Sequence, residues 1–122
     1  MYAVLAFACH PQFLRSRLKA LSMAGIKVTS VDTKPEVLHH LAKGGFELLL
    51  IGHHVPVQAR NDVALRAKAQ KMRVIFLYHG SIAQAEPADA ILTADVTAED
   101  LIATAFRLAT ADEVPRARQV NG

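Results

Sequence analysis

The chain has no tryptophan and a single cysteine, and only 6% of its 122 residues are aromatic. One cysteine cannot close an intramolecular disulfide, so the fold must be held by burial and backbone hydrogen bonding. The opening MYAVLAFACHP lacks the charged leader and small-residue cleavage site of a secretory signal, so a cytoplasmic location is expected. No apolar run reaches the roughly 18 residues needed to span a bilayer, and no membrane association is expected. A block of one charge is missing too. Fourteen Lys and Arg against eleven Asp and Glu leave +3, and the basic residues are scattered without interleaved aromatics, so no direct nucleic-acid binding is expected. There is no GxGxxG, GxxxxGK[ST], CxxC or HxxxH, which removes the common phosphate-cradling and chelating motifs.

What the chain does have is apolar content, 52% of residues, enough in one short chain for a single layered core. Its periodicity alternates strand and helix. Tyr2 to Ala8, Ile26 to Val31, Phe46 to Ile51, Met72 to Tyr78 and Ala90 to Thr93 read as strands. Pro11 opens a first helix with Phe13, Leu14, Leu18 and Leu21 on one stripe, closed by Gly25. Thr33 and Glu36 have capping-box spacing ahead of Val37, Leu38 and Leu41, with Gly44 and Gly45 as the stop. Asn61 to Lys71 reads as a third helix with Val63, Leu65 and Ala67 as its apolar positions, and Thr97 with Asp100 caps a last one carrying Leu101, Ile102, Ala105, Phe106 and Leu108. Strands this apolar need cover on both faces. The expectation is a three-layer α/β fold, a doubly wound parallel five-stranded sheet of flavodoxin-like order 2-1-3-4-5. The connection from His79 to Asp89 holds eleven residues, about the minimum for a whole crossover, so a fourth helix there is expected to be short or absent.

The phrases VLAFACHPQFLRSRLKAL, AGIKVTSVDTKPEVLHHL, FELLLIGHHVP, RVIFLYHG and ADAILTADVTAEDLIATAF resemble the receiver domain of bacterial response regulators, the CheY-like proteins of two-component signal transduction. The resemblance covers residues 1–110 as the domain and leaves residues 111–122 as a tail or the start of a linker. It lies in pattern more than in motif. Receivers carry an acidic pair after the first strand, a phosphoacceptor aspartate ending the third, a threonine or serine ending the fourth and a lysine after the fifth. Here those places fall on Ala8 and Cys9, Gly52, Tyr78 and Ala94. Aspartyl phosphorylation needs a carboxylate nucleophile, hard oxygen ligands for magnesium and a cation for the phosphoryl oxygens. None of the replacements supplies one. The resemblance therefore implies a degenerate receiver, a pseudo-receiver that is not an enzyme, needs no cofactor and acts by binding a protein partner or a second copy of itself.

Two further expectations concern surfaces. The carboxyl edge of the sheet should gather Cys9, His10, His53, His54 and His79, donors suited to zinc or another borderline metal. A metal- or small-ligand-binding domain is thus the alternative, weakened because adjacent strand residues such as His53 and His54 point to opposite faces. Receivers commonly pair through the face made by the fourth helix, fifth strand and last helix. A shortened fourth connection would uncover Phe76 or its neighbours and Ile91, so Ile91, Leu101, Ile102 and Leu108 are the candidate contact residues.

Overall fold

A computed structural model describes residues 2–8, 15–52, 54–78, 88–93 and 95–109. The described elements alternate in the order β1 (Ala3–Phe7), α1 (Arg15–Met23), β2 (Lys27–Val31), α2 (Lys34–Lys43), β3 (Leu48–Ile51), α3 (Val57–Ala69), β4 (Arg73–Tyr78), β5 (Ala90–Thr93) and α4 (Ala98–Ala109). All strand pairs are parallel, in the order β2-β1-β3-β4-β5. The flavodoxin-like expectation is met. The first helix is described from Arg15, so Pro11, Phe13 and Leu14 lie outside the described residues, as do residues 79–87 of the fourth connection and the tail from 110 onward.

Period-2 alternation sorts the central strands onto two cores. Val4, Ala6, Leu48, Leu50, Ile75 and Leu77 meet Leu21 of α1 and Leu101, Ala105 and Leu108 of α4 on one face. Leu5, Phe7, Leu49, Ile51, Val74 and Phe76 meet Val37 and Leu41 of α2 and Val63, Ala64 and Ala67 of α3 on the other. Because every residue of β1 and β3 is buried, these strands must be apolar throughout, and each buried Leu, Ile or Phe contributes about 1.5–3 kcal/mol.

The helix ends follow local chemistry. Thr33 Oγ1 accepts from the Glu36 amide at 3.3 Å, capping α2, and donates to Glu36 Oε1 at 2.8 Å. Gly44, at φ 74°, ends α2 in the left-handed region that glycine enters without strain. Thr97 Oγ1 accepts from the Asp100 amide at 3.1 Å and starts α4. The third helix corrects the sequence reading. It runs from Val57, directly after Pro56 and with no side-chain cap, to Ala69, whereas the sequence reading places it from Asn61 to Lys71. Leu65 is 60% exposed, since a step of two residues from Val63 turns it to the far side of the helix.

Candidate functional site

At the carboxyl ends of β1 and β3 the ladder hydrogen bonds run on through Ala8 and Gly52, and neither position carries a carboxylate. The Ala8 amide donates to Val31 O at 3.1 Å, and the Gly52 amide donates to Phe7 O at 2.9 Å. Both residues are buried, and the Ala8 methyl belongs to the core face shared with α1 and α4. Gly52 O then accepts from the Val55 amide at 3.3 Å, closing a four-residue turn. Tyr78, half-buried, ends β4 opposite Thr93. Nothing in this set offers a nucleophilic oxygen where β1 and β3 end.

Of the candidate metal ligands, His54 alone is described, and it is exposed. Cys9, His10, His53 and His79 lie outside the described residues, as does Ala94. Among the described residues no group of three or more His, Cys, Asp or Glu is placed to hold a metal ion.

The candidate contact residues divide. Leu101 and Leu108 are 1% and 6% exposed; they pack against β1 and β3 side chains in the domain's own core and are corrected from contact residues to core residues. Ile91 and Ile102 remain partly open. Phe76, expected at an uncovered flank, is fully buried. Its cover is the Arg60 guanidinium, 4.5 Å above the ring centroid.

Arg60 escaped the sequence reading although its spacing carries a signal. Positions 60, 63, 64 and 67 follow the i, i+3, i+4, i+7 pattern of an inward stripe, and all four are buried. Other charges have structural partners. Arg17 Nε donates to Val96 O at 2.7 Å, tying α1 to the turn before α4. Hydrogen bonds from Lys34 and Arg66 hold the Asp62 carboxyl below the usual carboxylate range, with the pairs at 2.7 and 3.2 Å. At the amino edge, Asp89 receives Lys68 Nζ at 2.7 Å and the Val74 amide at 2.7 Å.

This architecture is shared with solved structures. The fold is that of a response-regulator receiver. A receiver domain protein from Clostridium thermocellum superposes with a TM-score of 0.80 at 20% identity, covering 93% of this chain and 98% of that one. The response regulator TrrA from Thermotoga maritima, in complex with Mg2+ and BeF, gives 0.75 at 18% identity over 88% of this chain and 99% of that one. A CheY-like receiver domain protein from Methanospirillum hungatei gives 0.69 at 20% identity over 100% and 99%. No family model matches the chain, and no curated protein matches it by sequence. At such identities the likeness is one of fold.

Proposed function

We propose that the chain is a signalling module of receiver fold that works without aspartyl phosphorylation, through contact with a protein partner or a second copy of itself in the cytoplasm. The observation that carries this reading is the lack of a carboxylate at Ala8 and Gly52, side by side where β1 and β3 end. Gly52 stands at the end of β3, four residues before Pro56, where the resemblance puts the phosphoacceptor, and its neighbour Ala8 is a buried methyl. Cys9, Tyr78 and Ala94 complete the replaced set. The Thermotoga maritima protein was captured with Mg2+ and BeF; this chain has neither an acceptor carboxylate at position 52 nor one for magnesium at positions 8 and 9. Among the described residues no helix is long and apolar enough to cross a membrane. The metal-binding alternative has only His54 placed and no observation in its favour.

The test is intact-mass measurement after incubation with acetyl phosphate and magnesium. No phosphoryl adduct should form. Gly52→Asp alone should also stay unmodified, because a single carboxylate still lacks the magnesium ligands and the neutralising cation; a stoichiometric adduct on the unaltered chain would overturn the reading.

A further inference from the structure

Arg60 is only 9% exposed, and its guanidinium carbon lies 4.5 Å from the Phe76 ring centroid, over the ring. Its Nε donates to Asn61 Oδ1 at 3.2 Å. Among the described residues no carboxylate pairs with it and no hydrogen bond takes up its two Nη atoms. The nearest acid in sequence, Asp62, is already engaged by Lys34 and Arg66. Desolvation lowers the Arg60 pKa, the direction expected of a cation stripped of water without a counter-charge.

Arg60 is part-buried, and its Nη atoms are not among the enclosed polar groups without a partner, so they stay within reach of solvent while the rest of the guanidinium is covered by one aromatic face. The same arrangement is well suited to recognition. Contact with the ring and the Nε bond to Asn61 restrain the side chain, so less side-chain freedom remains to be lost on binding. Its position matters as well. Phe76 pairs in register with Ile51, the residue before Gly52, and with Ile91, so the guanidinium sits one residue inside the carboxyl edge, on the α2–α3 side of the sheet.

We propose that Arg60 is an oxyanion-binding residue, presenting its two Nη atoms to a carboxylate or phosphate group beside β4 and β5. The fork matches two oxygens of one planar or tetrahedral anion, which a point-charge ammonium does not. This inference goes beyond the proposed signalling role: it concerns a ligand group, and it stands or falls whether or not the chain accepts a phosphoryl group at the β3 end.

The experiment is a titration of the full 15N-labelled chain with sodium phosphate and with sodium acetate, against sodium chloride at matched ionic strength, observing the arginine Nε–Hε resonances and the backbone amides, the latter serving as the readout in the Arg60 variants. Arg60→Lys assigns the signal. The Arg60 resonance should move saturably with phosphate, acetate or both and not with chloride, and Arg60→Lys should weaken the binding by about tenfold or more. Response to phosphate alone identifies a phosphate site, and response to acetate identifies a carboxylate site. The proposal is overturned if no anion gives saturable movement in the millimolar range, if chloride reproduces the shifts, or if Arg60→Lys and Arg60→Met bind as the unaltered chain does. Should Arg60→Met fail to fold, the titration of the unaltered chain still decides.

Discussion

The Tyr2 hydroxyl is buried without a hydrogen-bond partner, while its ring stacks on Phe106 with 6.5 Å between centroids. Burial, reinforced by the Glu47 charge and opposed by Arg73, pushes its pKa from 10.0 up to about 12. The folded state therefore holds this proton more tightly than the unfolded chain. The stability so contributed is complete below pH 10 and is lost as pH rises through about 12. Allowing for partial solvent access, the loss should be on the order of 1 kcal/mol. Tyr2→Phe keeps the ring and removes the unpaired hydroxyl. Its stability at neutral pH, measured by urea unfolding, should equal the unaltered chain's or exceed it by about 1 kcal/mol, and its decline at alkaline pH should be shallower. A clear loss at neutral pH would show that the hydroxyl is bonded after all. Tyr2 was legible in the sequence as the start of a strand; that its hydroxyl is stranded was not, because the groups around it come from β3, β4 and α4.

The four-residue strand β5 carries half-buried side chains, too little apolar cover to secure it alone, and Asp89 supplies a second anchor. Its amide donates to Val74 O at 2.8 Å and its Oδ2 accepts from the Val74 amide at 2.7 Å. Lys68 Nζ and Arg73 Nη1 approach Oδ1 at 2.7 and 3.6 Å, and the carboxyl side chain is 16% exposed. Asp89→Ala should cost about 2–4 kcal/mol in chemical denaturation, since it leaves two cations and an amide without their acceptor. Asp89→Asn, which keeps an acceptor for the amide, should cost less. Equal losses for the two would assign the effect to charge alone. This junction was not foreseen, because residues 68, 73 and 89 are brought together only by the β4–β5 register. The elements themselves were legible because each central strand is an unbroken apolar run and α2 and α4 carry side-chain caps; α3 was misplaced at its start because a helix opened by Pro56 without a capping side chain has no polar signal there. That positions 8, 9 and 52 carry no carboxylate could be read at once, since it is a fact of sequence.

On the whole molecule, the open ground lies along β5 and α4. Among the described residues no strand pairs with the outer side of β5, and a groove of about 590 Å³ runs between it and α4, lined by Ile91, Leu92, Ala103, Thr104 and Arg107 among others. An edge strand beside a groove of mixed lining, with Asp95, Asp100 and Arg107 among the apolar side chains, is a template for association. The burial pattern decides how to test it. Leu101 and Leu108 are core, and Ile102 packs against the α1–α4 side of the sheet, so a charge at any of them would disturb folding together with contact. Ala103 is exposed and lines the groove, so Ala103→Glu puts a carboxylate into the proposed contact at little cost to the helix. If copies of the chain meet there, sedimentation across micromolar concentrations should show a dimer for the unaltered chain, and Ala103→Glu should raise its dissociation constant by about tenfold or more, or at least 1.4 kcal/mol. Circular dichroism should remain that of the unaltered chain. Self-association that survives Ala103→Glu undiminished would move the contact off this groove, and an unaltered chain that stays monomeric throughout would leave a protein of different sequence as the partner to be sought.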